Sequence, residues 1–237
     1  MDILSSLLVV AFAGLIHASF QLSTSVLTTL SGHVIGSKKS HATTLRLTSS
    51  FVFGAGLMTL LLVTFTAYVM SQAFGSSIPL YIWSIAAGLL FGIGIAVWLF
   101  YYRKGEGTTL WIPRSLASYL GDRTKATKLS GESFGLGLVS VLSELLFIIG
   151  PVIISALVIV QLPSQWQLIG VAVYTIISLL SLAIVWMLVG SGHSLSRIQK
   201  WREENKGFLQ FAAGSGLLVL GFYIYVAQVI TASVGGI

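Results

Sequence analysis

The sequence predicts an all-α integral membrane protein: six transmembrane helices as two inverted three-helix repeats, with both termini outside the cytoplasm. Three observations carry that expectation. The chain has 237 residues, of which 55% are hydrophobic and only 8% charged. It contains six apolar stretches long enough to cross a bilayer, and its loops alternate strictly between basic and non-basic. A soluble domain of this length would carry about a quarter charged residues to keep its surface in water. The mean hydropathy of +0.93 and that charge deficit place the whole chain in the bilayer.

A span needs roughly 20 mostly apolar residues. The qualifying stretches are about 3–30, 45–71, 78–102, 134–160, 166–190 and 208–232. They divide the chain into a first three-helix repeat (1–105), a basic cytoplasmic loop (106–130) and a second repeat (131–237). No cleavable signal peptide is expected, since the start lacks a basic segment and the apolar run behind it is too long. There is no cysteine, which rules out disulfides, thiolate metal sites and thiol redox chemistry.

The 13 Lys and Arg residues sit in three loops. Lys38, Lys39 and Arg46 follow span one. Arg103, Lys104, Arg114, Arg123, Lys125 and Lys128 lie between spans three and four. Arg197, Lys200, Arg202 and Lys206 follow span five. The positive-inside rule puts these loops in the cytoplasm, of a plasma-membrane protein with both termini extracellular or periplasmic. The net charge of +6 is then topology, and no nucleic-acid partner is expected. Trp83, Trp166, Trp98, Tyr101, Tyr102 and Trp186 fall near span ends, where aromatic anchors belong. Trp111-Ile112-Pro113-Arg114 with Leu116, Tyr119 and Leu120 reads equally as a short interfacial helix or an ordinary linker.

The halves are similar. Gly14-Leu15-Ile16-His17-Ala18-Ser19-Phe20-Gln21-Leu22 aligns with Gly137-Leu138-Val139-Ser140-Val141-Leu142-Ser143-Glu144-Leu145 at an offset of 123. Ile85-Ala86-Ala87-Gly88 aligns with Phe211-Ala212-Ala213-Gly214 at an offset of 126. Three spans per copy is odd, so the second copy inserts upside down, and inverted repeats of this kind place a site near the midplane. The alignment pairs Gln21 with Glu144.

Glu144 is the one acid deep within a span; Asp2, Glu106, Asp122, Glu132, Glu203 and Glu204 lie outside spans or at their edges. A charged carboxylate at the bilayer centre costs about 2.5–3.5 kcal/mol on insertion scales. Glu144 should therefore face the interior with partners, either as a proton-coupling or cation-binding group or as a structural hydrogen-bond partner. Gly150-Pro151 marks an expected kink or break in span four, because proline removes a backbone donor; it is either a solute-site break or a packing kink. His17, Gln21, Thr24 and Thr28 share a face of one helix, and Ser140 lies one turn before Glu144. His33, His41 and His193 lie in loops. Gly88 and Gly92 read as a close-packing pair. No metal site, cofactor, metalloprotease, P-loop or GxSxG signature is present, so an enzyme is not expected.

The chain resembles the lysine-exporter superfamily, which includes the cytochrome c biogenesis thiol-disulfide carriers and nickel/cobalt exporters. The resemblance rests on two three-span repeats, on the glycine-rich segments Ala87-Gly88-Leu89-Leu90-Phe91-Gly92 and Ala213-Gly214-Ser215-Gly216-Leu217-Leu218, and on Ser133-Phe134-Gly135-Leu136-Gly137-Leu138-Val139-Ser140 leading to Gly150-Pro151. It covers nearly the whole chain and implies that fold with a general transport role. The carriers' cysteines are missing, which removes electron transfer. Gly14-Leu15-Ile16-His17-Ala18 matches the opening of the exporters' histidine motif, but Gln21-Leu22 stand where proline and aspartate would be.

The sequence therefore points to a proton-coupled exporter of a small solute or cation, with Glu144, Gln21, His17, Thr24, Ser140, Gly150 and Pro151 around a midplane site. The rival is a non-transporting membrane scaffold or partner subunit docking through its basic loops. The lipid bilayer is a partner in either case, and a homo-oligomer is compatible with both.

Overall fold

The computed structural model describes residues 1–20, 22–36, 41–75, 77–101, 114–191 and 195–234. Among them all regular structure is helical: α1 (Ile3–Ser19), α2 (Leu22–Gly36), α3 (His41–Phe74), α4 (Leu80–Phe100), α5 (Arg114–Ala126), α6 (Ser130–Ser143), α7 (Leu145–Gln161), α8 (Ser164–Ser178), α9 (Leu180–Gly190), α10 (Leu195–Glu204), α11 (Lys206–Ile224), a π-helical turn (Tyr225–Ile230) and α12 (Thr231–Val234). Backbone groups find no partners in lipid, so helices that bond internally are the expected solution.

Three helices are long and apolar enough to cross a membrane: α3, α4, and α11 with its π-helical turn. The count rises to six if each of three bent pairs forms one span: α1 with α2 at 48°, α6 with α7 at 79°, and α8 with α9 at 50°. The apolar stretches at 3–30, 134–160 and 166–190 fall on these bent pairs. α3 has 34 residues, about 51 Å at 1.5 Å per residue, which exceeds the hydrocarbon core.

Each bend follows a serine that turns back onto its own helix. Ser19 donates to the Ile16 carbonyl at 2.6 Å, Ser143 to Val139 at 2.7 Å and Ser178 to Thr175 at 2.9 Å. Such back-bonding competes with the helix ladder and bends helices. Tighter turns then close the breaks: Phe20 N–H bonds His17 at 3.1 Å, Glu144 N–H bonds Val141 at 3.0 Å, and Leu179 N–H bonds Ile176 at 3.3 Å.

The break in span four is therefore at Glu144, six residues before the Gly150-Pro151 break expected from the sequence. Pro151 lies inside α7 and both residues are buried in it. The helix also stops at 20, so His17 and Thr24 do not share the face of one continuous helix as expected.

Glycines set the close crossings. A Cβ on Gly54 of α3 would run into the Phe134 carbonyl of α6, and one on Gly137 of α6 into the Phe51 carbonyl of α3. On the other side of the bundle, a Cβ on Gly14 of α1 would lie 3.2 Å from the Tyr174 carbonyl of α8. Small residues let helix backbones touch where lipid offers no hydrophobic drive. Gly137→Ala is expected to force α3 and α6 apart and to destabilise the protein by about 1–3 kcal/mol, read by thermal unfolding in detergent. Gly88 and Gly92 do not play the packing role expected of them, since nothing lies within 4 Å of a Cβ at either; Gly94, Gly214 and Gly221 make the α4–α11 contact instead.

Two aromatic anchors are also corrected. Trp83 and Tyr101 are buried, and Tyr101 packs edge-on against Phe20 and Phe147, with ring centroids 5.5 and 5.0 Å away. Tyr102 and Trp111–Pro113 lie outside the described residues; of the two readings left open for this segment, helix or linker, Leu116, Tyr119 and Leu120 fall in the helix α5. α5 and α10, the two short basic helices, both rest on α2, which gathers basic segments at one end of the bundle.

Two acids at span edges are helix caps. Asp2 accepts from the Ser5 N–H at 2.7 Å, and Glu132 reaches back to the N–H groups of Lys128 and Leu129 at 2.8 and 3.0 Å, the returning half of a capping box. Hydrogen bonding holds both carboxyls below the ordinary carboxylate range: from Ser5 for Asp2, and from the Lys128 and Leu129 amides for Glu132. Their contribution is complete above that range and is lost as pH falls through the lowered values. Protection of the amides at the start of α6, with the intrinsic exchange rate at each pH divided out, should therefore be lower at pH 3 than at pH 6, and Glu132→Ala should remove the difference.

Candidate functional site

The three helix breaks meet. A cavity of about 10 Å³ is lined by Phe20 from the first break, Glu144 from the second, and Ser178 and Leu179 from the third. His17, Ser23, Thr24, Thr59, Val141, Ser181 and Leu182 complete the wall. The volume suits about one water molecule.

Glu144 is 3% exposed. Its Oε1 accepts the backbone N–H of Ser23 at 2.7 Å, and the Leu22 N–H faces the same carboxylate. The interruption of the helix at Phe20 leaves the first N–H groups of α2 without helical partners. The carboxylate from the opposite half of the chain supplies them, where the positive end of the helix dipole favours negative charge. The Ser23 hydroxyl is buried beside the same carboxylate and has no well-aligned partner.

A second charge lies nearby. Arg202 of α10 is 4% exposed and donates from Nη2 to Ser25 Oγ at 2.7 Å, two residues along α2 from the amide that Glu144 binds. It lies within electrostatic reach of the carboxylate. A guanidinium at a helix N-terminus faces an unfavourable dipole, which the Glu144 carboxylate offsets. The sequence counted Arg202 as one loop cation among several, and nothing in its neighbourhood separates it from the others. Glu203 and Glu204 beside it are exposed, as expected.

Histidine and threonine complete the cross-chain contacts. His17 Nδ1 lies 3.0 Å from the Tyr174 hydroxyl, with both residues buried. Thr24 donates to Ser181 Oγ at 3.3 Å, joining α2 to α9. Thr28 bonds back to the Thr24 carbonyl.

Of the residues singled out from the sequence, Glu144, His17 and Thr24 come together at the cavity. Ser140 is buried but bonds to the Gly137 carbonyl of its own helix and does not line the cavity. Gly150 packs on Leu90 of α4, and neither it nor Pro151 reaches the cavity. Gln21, His193 and the side chain of His33 lie outside the described residues. Tyr174, Ser178, Ser181, Thr59 and Arg202 were missed. A serine stands directly before each break, at 19, 143 and 178, but the same back-bond recurs inside unbroken helices at Ser31, Thr59, Ser84 and Ser140, so no sequence signal marks the third hinge. Among the described residues no group of three or more His, Cys, Asp or Glu side chains could hold a metal ion.

No family model, curated protein or solved structure matches this chain.

Proposed function

We propose that this chain is a secondary transporter, a proton-coupled exporter of a small solute or cation, working at the cavity where the three breaks meet. The observation that carries the reading is Glu144: one buried carboxylate, at a hinge of its own span, capping the helix that begins at another hinge. A proton or cation arriving at that carboxylate competes with the Ser23 N–H. Weakening the cap frees α2 to move about the break at Phe20, so occupancy of the site is linked to helix geometry. Discontinuous helices whose ends meet at a site are a recurring design of secondary transporters.

Each bent pair is then one span, giving six spans in two inverted repeats. Support for the repeat comes from the breaks: the offset of 123 that aligns the sequences carries the start of α2 at Leu22 onto the start of α7 at Leu145. The aligned glycines Gly14 and Gly137 each meet a helix of the opposite half, α8 and α3 respectively. The lysine-exporter resemblance favours the same reading. Basic loops on the cytoplasmic side put both termini outside. A cavity for one water is a closed form; a larger cargo enters when the hinges open.

The small cavity also favours the rival reading, a scaffold whose polar residues are only interhelical contacts. Purified protein in proteoliposomes with a lumenal pH dye separates the two. Amino acids and divalent metals are added outside in turn. The transporter gives a solute-dependent change in lumenal pH; folded protein that answers no solute is the scaffold.

A further inference from the structure

A larger cavity lies away from the hinges. A cleft of about 310 Å³ lies between α5 and α6, lined by Tyr119, Arg123 and Thr127 on one side and Glu132, Leu136 and Val139 on the other. Its ends differ in chemistry. At the polar end the Arg123 guanidinium sits 5.9 Å from the centre of the Tyr119 ring and makes no ion pair among the described residues. Glu132 is beside it, but its Oε2 is taken up by the Lys128 and Leu129 amides. Lys128, whose backbone amide bonds Glu132, adds a second positive charge near this end. At the other end the wall is apolar. Gly135 adds open space there, and Gly135, Val139 and Leu142 continue along one face of α6 at helical spacing. Leu142 is 44% exposed, so this stripe leads from the cleft to the outer surface of the bundle.

We propose that the α5–α6 cleft binds an anionic glycerophospholipid, with its phosphate on Arg123 and Lys128 and an acyl chain along Val139 and Leu142. A planar guanidinium recognises a phosphate through paired, charge-assisted hydrogen bonds. Basic pockets where helices enter the membrane suit such headgroups, and the apolar track distinguishes a lipid from a soluble phosphate. The inference rests on the membrane location of the chain and is independent of whether it transports.

The test is native mass spectrometry of the full-length protein released from nanodiscs of mixed phosphatidylglycerol and phosphatidylcholine. Both lipids carry the phosphate, but phosphatidylcholine adds a choline cation that faces the Arg123 and Lys128 charges, so wild type is expected to retain phosphatidylglycerol over phosphatidylcholine by roughly tenfold. Arg123→Gln removes the preference, and Lys200→Gln, an exposed basic residue paired with Glu204, keeps it. Val139→Trp fills the apolar wall and lowers phosphatidylglycerol retention with Arg123 intact. Millimolar glycerol phosphate leaves the bound lipid in place. Equal retention of both lipids by wild type, an unchanged preference in folded Arg123→Gln, or displacement by glycerol phosphate would each overturn the proposal.

Discussion

Glu144→Gln is expected to leave a folded protein whose solute-driven proton flux is at the leak rate, a loss of at least about 100-fold, the lower range for removing a positioned proton-transfer group. Glutamine matches glutamate in shape and keeps an oxygen that can accept the Ser23 N–H, so α2 stays capped. It carries no charge, which removes the cost of placing a carboxylate in the bundle. Thermal unfolding in detergent should therefore be unchanged or raised while flux disappears. What glutamine cannot do is bind and release a proton, or hold a cation by charge. Flux retained in a folded Glu144→Gln protein would remove the carboxylate from the mechanism.

The second large effect is on stability. Arg202→Leu removes the guanidinium that donates to Ser25 and the positive charge within electrostatic reach of Glu144, and losing a hydrogen bond from a charged group costs about 1.5–3 kcal/mol. Part of that penalty belongs to the carboxylate left without the nearby positive charge. The double variant Arg202→Leu/Glu144→Gln should therefore unfold closer to wild type than Arg202→Leu does. Additive losses in the double variant would mean that the two charges do not act on each other. Arg202→Lys should fall between, since an ammonium keeps the charge without the planar fork.

The contrast between Arg202 and Glu144 shows which parts of the site were legible in the sequence. Glu144 stands out because a carboxylate amid apolar residues is costly and needs a reason to be there. Arg202 sits in a polar segment where an arginine is unremarkable; only the packing of α10 on α2 carries it inward. The apolar stretches foreshadowed the helices well, because hydrophobic length is a property of the sequence itself. The bends were harder. Pro151 signals a missing backbone donor, yet a break forms where the freed groups find partners, and the partners of α2 come from residue 144 in the other half of the chain. Trp83 and Tyr101 were misread for a related reason: nearness to a span end does not distinguish the lipid-facing side of a helix from the side that packs inward. Gly88 and Gly92 have the close-packing spacing, but Gly94 faces the crossing with α11.

The central claim, that three hinges open one shared cavity, is tested most directly through accessibility. The chain has no cysteine, so Ser181→Cys places one thiol in the cavity wall beside Thr24 and Glu144. Intact cells and inside-out vesicles are treated with a membrane-impermeant thiol reagent, and labelling is followed over time. The account predicts labelling from both sides of the membrane, because a carrier exposes its site to each in turn. A thiol that stays unreacted from both sides, in folded protein that reacts fully once denatured, would contradict it and leave a closed scaffold.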